Sequence, residues 1–387
     1  MRIALVEPYY GGSHKAWADG FAASSRHDVA LVTHDARFWK WRMHGGFLTL
    51  ADQLAADIAL HGVPDIILVS TMMNVSAFAG AVRHIAPGVP IGVYFHESQF
   101  TYPLSPADRV DFTYKMINWA SAATADLVIF NSAFHRDVFR VEAKTFLNSF
   151  PEHKHVDDVD RVIDASIVLP VGVDLSPFHG MDAGGPRLPL IVWNQRWEHD
   201  KGPDELLEIL RALIDSDIDF SMAMCGEVFV SVPPEFAEIT NMLGDRLVHA
   251  GWLERDAYID LLKRSSVVLS TAHQEFFGIA IVEAIAAGAH PVLPARLVYP
   301  ERVAQLGADR DAVLYSSTTE AVELIRSAFN LAPDPQVMHA ALQYDWSVVA
   351  PQYDKVLESL ADDRSDPPSA LWTGEVAEAQ RGRRGRP

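Results

Sequence analysis

A single cysteine, Cys225, stands among 387 residues, which excludes an internal disulfide and suits a reducing compartment. No stretch approaches the roughly 18 consecutive apolar residues of a membrane-spanning helix. The run from Met1 to Glu7 is short, apolar and interrupted by a carboxylate, without the apolar length or small-residue cleavage site of a secretory signal. A cytoplasmic protein is the expectation. Basic residues are outnumbered, 32 Lys and Arg against 51 Asp and Glu, and a formal net charge of −19 argues against non-specific adhesion to nucleic acid or anionic membrane. A local basic patch remains open, because association follows the field near the site. The spaced glycines of a dinucleotide fingerprint are missing, which disfavours nicotinamide and flavin chemistry. No complementary Cys/His set and no Asp-x-Asp pair at a strand end appears, so no metal is expected.

What is present is ordinary for a soluble enzyme: 49% hydrophobic and 21% charged residues, in a chain long enough for two cored domains. Short Val/Ile/Leu runs at residues 2–7, 29–33, 65–70, 91–95 and 127–131 alternate with helical patterns. A second series follows at 190–194, 220–224, 248–250, 267–270 and 290–293. Continuous apolar runs point to strands buried on both faces, hence parallel sheets built from βαβ units. The Gly- and Pro-containing stretch from Leu169 to Pro189 separates the two series. The expectation is α/β: two facing Rossmann-like domains with an interdomain cleft, one over residues 1–174 and one over 175–360. Periodicity predicts a helix over 346–360 without saying where it packs. Residues 361–387, with Arg381, Arg383, Arg384 and Arg386, read as a disordered tail.

Ligands of such sheets lie beyond the carboxyl ends of the strands, so the loops there carry the candidate chemistry. After the run 190–194, Arg196 offers a guanidinium fork and Lys201 a point charge, a pairing that suits a diphosphate leaving group. A solvated loop with helix-flanking charges accounts for these two equally well when they are taken alone. The next segment shifts the balance. Glu275, Phe276, Phe277 and Gly278 follow the strand 267–270 and open a helix containing Glu283. Amides of Phe276, Phe277 and Gly278 at that helix start favour phosphate, Glu275 suits sugar hydroxyls and Glu283 a ribose. A lone carboxylate in so apolar a helix as that of Glu283 would be costly without a partner.

In the first half, Gly11 and Gly12 allow a tight turn with amides near a donor phosphate or sugar, before a helix expected to start near Ala16. His14 and Lys15 are there either as turn residues or as ligand contacts. His96 and Glu97 end the strand 91–95, where an imidazole can meet a sugar hydroxyl or charge near the reacting carbon. Arg37 to Arg42 interleaves cations with aromatics, and Trp39, Lys40, Trp41 and Arg42 fit either an RNA acceptor site or amphipathic packing with the rings in the core.

Together the Arg–x4–Lys loop, the Glu–x7–Glu segment and the linker Leu169-Pro170-Val171-Gly172-Val173-Asp174 resemble the GT-B retaining glycosyltransferases of family 4. Pro8-Tyr9-Tyr10-Gly11-Gly12-Ser13-His14-Lys15, Phe95-His96-Glu97-Ser98-Gln99, His273-Gln274-Glu275-Phe276-Phe277-Gly278 and Arg296-Leu297-Val298-Tyr299-Pro300-Glu301 resemble, within it, the tRNA-queuosine α-mannosyltransferases. The resemblance spans residues 1–360. It implies a metal-independent hexosyltransferase that uses GDP-mannose, with Arg196 and Lys201 on the diphosphate, Glu275 on the sugar, Glu283 on the ribose, and Glu227 and Leu253 bordering the base. Arg196, Lys201, Glu275 and His96 would form its catalytic set, with tRNA as acceptor at His14, Lys15, Glu97 and Trp39 to Arg42. A front-face displacement is implied, with no protein nucleophile evident. Two other readings stand beside it: a family member with a lipid, glycan or small-metabolite acceptor and another nucleotide sugar, and a nucleotide-sugar epimerase of the same fold.

Overall fold

Every residue of the strands Ile66–Ser70 and Ile91–Phe95 is buried, as continuous apolar runs require when helices cover both faces of a sheet. These are β3 and β4 of a six-stranded parallel sheet. The others are β1 (Arg2–Tyr10), β2 (Asp28–Asp35), β5 (Leu127–Phe130) and β6 (Ile167–Val168), in the order β2-β1-β3-β4-β5-β6. Leu5 in β1 is in register with Leu31 of β2 on one side and Leu68 of β3 on the other. Val6, Val69, Val93, Phe95 and Phe130 join Phe78 and Phe139 from the covering helices in one core.

A second parallel sheet repeats the plan with β7 (Leu190–Trp193), β8 (Ser221–Cys225), β9 (Leu247–Gly251), β10 (Val267–Leu269), β11 (His290–Pro294) and β12 (Leu314–Tyr315). Its order is β12-β11-β10-β7-β8-β9. Trp193, Met224, Leu269 and Val292 form its core with Leu206, Leu210 and Phe236. All ten strands expected from the apolar runs are present; β6 and β12, two residues each, are too short to show a pattern. The strand order reverses between β1 and β3 in the first sheet and between β7 and β10 in the second, where such sheets take ligands at their carboxyl ends.

The computed structural model describes residues 1–102, 111–185, 187–228 and 232–362. The arginines of the 361–387 tail lie outside the described residues. The chain divides into two compact units: Met1–Thr101, the stretch up to Gly172 and the chain from Val349 form one, and Val173–Val348 the core of the other. The second unit therefore stops short of residue 360, because the helix Trp346–Asp362 carries groups that belong to the first. Buried Tyr353 donates to the Pro170 carbonyl at 2.9 Å and accepts from the Trp17 indole at 3.2 Å, while Asp354 accepts from Ser25 and from the Arg26 amide. Among the described residues no helix is long and apolar enough to cross a membrane.

Candidate functional site

In the second unit the loops after β7 and β10 are stitched together by backbone. His273 and Gln274 amides donate to the Asp200 carbonyl at 2.8 and 3.1 Å, and the Thr271 hydroxyl donates to the Lys201 carbonyl at 2.8 Å. Such close approach needs glycine. At Gly202, φ is +64° and a Cβ would lie 2.1 Å from the Thr271 oxygen; at Gly226 a Cβ would lie 1.9 Å from the Gln195 oxygen. The same loop is braced from beyond β11. Arg296 binds the Thr271 and Ala272 carbonyls at 3.1 Å each, Tyr299 meets the Ser270 hydroxyl at 2.6 Å, and Arg302 donates to the Phe277 carbonyl at 3.2 and 3.3 Å.

This scaffold buries Lys201 with its ammonium 2.9 Å from the Gln274 carbonyl, 3.1 Å from Asp200 and 3.4 Å from Glu275. Burial opposes the Lys201 charge, but Glu275 and Asp200 outweigh it and raise the pKa. Glu275 is the complement: burial favours its neutral form, Lys201 and the neighbouring amides favour the anion, and its pKa falls. The amides of Phe276, Phe277 and Gly278 do converge, but on the Glu275 Oε1, at 3.1, 3.2 and 3.0 Å. The helix proper begins after Gly278, which takes φ +86°, and runs Ile279–Ala286. Arg196 is half exposed, 3.2 Å from Glu198 and 4.0 Å from Asp200, so Asp200 lies between the two expected cations. Asp200 carries no spacing signal, because the Arg196–Lys201 segment is a loop and a 3-10 turn and not an α-helix.

Buried Glu283 has the partners its apolar helix demanded. Arg255 binds its Oε1, Tyr258 donates to its Oε2 at 3.2 Å, and Arg255 also holds the Asp174 carbonyl at 3.1 Å. Burial nevertheless outweighs these partners and raises the Glu283 pKa. Arg255 and Tyr258, on the helix Arg255–Arg264 after β9, were not foreseen; periodicity marks their helix and not its partner. Glu227 is exposed and its carbonyl accepts from the Trp197 amide at 3.1 Å, whereas Leu253 is half-buried before that same helix.

In the first unit β1 runs on to Tyr10 and the helix starts at Gly12, four residues earlier than expected, so His14 and Lys15 lie in its first turn. A Cβ on Gly11 would lie 2.4 Å from the Ala36 Cβ. The His14 ring bridges two carboxylates: its Nδ1 is 3.2 Å from Glu7, fully buried in β1, and its Nε2 is 3.3 Å from Glu97 after β4. Burial opposes a charge on His14, yet Glu7 and Glu97 together push its pKa up to about 10. The His96 ring lies 4.4 Å away at a tilt of 47° and stays neutral, because burial and the neighbouring His14 charge lower its pKa well below the usual value. Glu7 was visible only as a carboxylate in an apolar strand. Lys15 instead pairs with Asp19, on the exposed face of its helix.

Glu7, His14 and His96 offer ligand atoms within 4.8 Å of one another, the one cluster among the described residues with the reach of a metal site. Both His14 nitrogens already face carboxylates, an arrangement that holds an imidazolium and that a cation would have to displace. Of the interleaved segment, Arg42 is buried against the Asp35 carbonyl and Trp39 packs on Tyr114 at 5.0 Å, while Lys40 and Trp41 are exposed.

Residues 2–173 match the family model described as tRNA-queuosine alpha-mannosyltransferase N-terminal, and residues 186–341 match Glycosyl transferases group 1. A tRNA-queuosine alpha-mannosyltransferase of Drosophila melanogaster is 33% identical over 309 residues, 77% of this chain and 81% of the relative. A GDP-mannose-dependent alpha-(1-6)-phosphatidylinositol dimannoside mannosyltransferase of Mycobacterium tuberculosis is 23% identical over 335 residues, 76% and 79% of the two chains. In fold, the chain is similar to a sucrose-phosphate synthase of Thermosynechococcus elongatus, with a TM-score of 0.67 and 16% identity over 93% and 99% of the two chains.

Proposed function

The chain belongs to the tRNA-queuosine alpha-mannosyltransferase family, and on that premise we propose that it moves mannose from GDP-mannose to queuosine in tRNA with retained anomeric configuration. That it is a glycosyltransferase of GT-B fold follows from the family and from the two parallel sheets. The observation that supports the donor assignment most is the part-buried Lys201–Glu275 pair, drawn from 74 residues apart to the carboxyl ends of β7 and β10, where the strand order reverses.

Lys201 and Arg196 take the diphosphate and neutralise the charge that grows on it as the sugar departs. Glu275, its Oε1 locked by three amides, presents a fixed anion to the sugar hydroxyls. Glu283, with Arg255 and Tyr258, receives the ribose, and Glu227 and Leu253 border the base. No metal is required, because Lys201 and Arg196 supply the positive charge. In the first unit His96 contacts the sugar as a neutral ring, and Glu97, held by His14, accepts from an acceptor hydroxyl. Gly11 and Gly12 bring backbone to the donor. The reaction takes place in the cytoplasm, where its tRNA is.

Purified protein is incubated with radiolabelled GDP-mannose and with tRNA that contains or lacks queuosine. Label is expected in the queuosine-containing tRNA alone. Equal labelling of both, or of neither, sinks the acceptor assignment. Glu275→Ala is expected to abolish transfer, and a full rate in that variant sinks the donor-site assignment.

A further inference from the structure

We propose that the exposed rings of Trp41 and Phe112, with Lys40 and Lys115 beside them, form a preorganised stacking platform for unpaired bases of an RNA. The proposal rests on the reading of tRNA as acceptor and deepens it: it adds Phe112 and Lys115 to the Trp39–Arg42 stretch and assigns the exposed rings a base-stacking role. Trp41 lies on the helix Trp39–His61 and Phe112 opens the helix Phe112–Thr124. Trp39 and His44 of the first helix pack on Tyr114 of the second at 5.0 and 5.3 Å, so the two helix starts are neighbours.

Hydrophobic rings belong inside, yet Trp41 is 60% exposed and Phe112 59%, on helices whose other aromatics are mostly covered. The seat of Trp41 is built. A Cβ on Gly45 would lie 2.6 Å from the Trp41 ring, so the indole occupies space over the helix that only glycine leaves free. Glycine is a poor interior helix residue, and here it sits one turn along from the ring it accommodates. A ring seated against glycine and more than half open to solvent is a stacking surface that needs little ordering when a base arrives.

Charge selects the partner. Residues 36–51 and 112–125 contain no acidic residue, in a chain that has 51 Asp and Glu among 387. Arg37 and Lys40 are exposed there and Lys115 is half-buried. Arg42 is turned inward onto the Asp35 carbonyl, and Asp111, just before Phe112, faces Lys40. What remains is a local excess of positive charge on a protein whose net charge is −19. Aromatic faces between cations match a single-stranded nucleic acid, bases on the rings and phosphates on the ammonium groups. The platform is also continuous with the candidate acceptor groups. Trp39 and Tyr114 pack with Tyr9 around Met43, Met72 and Ile117, and the Tyr9 ring meets His14 edge-on at 6.1 Å.

The test measures binding of a fluorescein-labelled queuosine-containing tRNA by anisotropy, with the full chain. Trp41→Ala and Phe112→Ala are each expected to weaken binding about tenfold. Lys40→Ala should lower the salt slope by about 1. Gly45→Ala should act like Trp41→Ala although it improves helix propensity, because the new Cβ lifts the ring. Leu60→Ala, exposed at the far end of the same helix, should bind as the wild type does. If the wild type binds and the ring variants bind equally well, the platform is overturned and the acceptor reading stands. A wild type that binds no tRNA overturns both. Anionic phosphatidylglycerol vesicles bound through Trp41 and Phe112 in place of tRNA would assign the surface to membrane and overturn the proposal.

Discussion

Each unit buries one cation between two carboxylates, and the two arrangements differ in kind. In the second unit Lys201, charged at any physiological pH, lies between Asp200 and Glu275. In the first unit His14, a group that ordinarily titrates near neutrality, lies between Glu7 and Glu97. The lysine pair is fastened to backbone on every side, with Glu275 on three amides and Lys201 on a carbonyl. The histidine bridge joins side chains of a strand, a strand-end loop and a helix, with the Tyr9 amide donating to Glu7 at 2.8 Å, and owes its charge to the carboxylates around it. A fixed cation suits the binding of a constant negative charge; a conditional one suits a site where proton affinity matters.

The largest effect separates the two by deletion. Lys201→Met leaves Asp200 and Glu275 buried without their cation and should cost about 3–5 kcal/mol of stability. His14→Gln keeps a hydrogen-bonding side chain beside Glu7 and Glu97, so the loss should be smaller, about 1–3 kcal/mol. Urea unfolding of both variants checks this, and an equal or reversed ranking would show the bridges to be alike.

The next effect is pH dependence. The His14 pKa rises in the fold from its ordinary 6.5 to about 10, so its contribution is complete below 6.5 and is lost as pH climbs toward about 10. Glu275 has a lowered pKa, so its contribution is present above 4.5 and is lost as pH falls below that. Melting temperatures across this range should therefore fall on the alkaline side in the wild type and flatten there in His14→Gln. An unchanged alkaline slope in that variant would place the titration elsewhere.

The smallest effect on stability comes from Arg196. Half exposed and paired with Glu198, it should lose under about 1 kcal/mol of stability in Arg196→Ala. Transfer, by contrast, should fall about 100-fold if Arg196 stabilises the leaving group. Parallel melting and transfer assays would expose an Arg196 that is merely structural, since rate and stability would then change little together.

Much of the scaffold was readable because parallel strands buried on both faces write themselves as unbroken apolar runs. Arg196, Lys201, Glu275 and Glu283 were readable because each falls in a loop or helix just after such a run. Their partners were not. Arg255 and Tyr258 reach Glu283 from 28 and 25 residues away, a distance over which periodicity carries no information. The amides of residues 276–278 read from the sequence as a phosphate cradle, whereas in the fold they bind the neighbouring Glu275, an outcome that depends on a rotamer. The helix at 346 was foreseen and its destination was not, since amphipathic spacing shows a face and never what covers it.

By itself, then, the order of residues determined two parallel α/β sheets, the loops that carry charge, and the exclusion of disulfides. Those follow from local terms: burial of apolar runs, the turning freedom of glycine and the reach of a side chain along its own loop. Only the tertiary structure decided that Lys201 answers Glu275, that His14 holds a proton between Glu7 and Glu97, and that Trp39 is covered while Trp41 stays open. Each of those depends on which distant atoms share a small low-dielectric volume, and Coulomb and packing terms are set by distance in space.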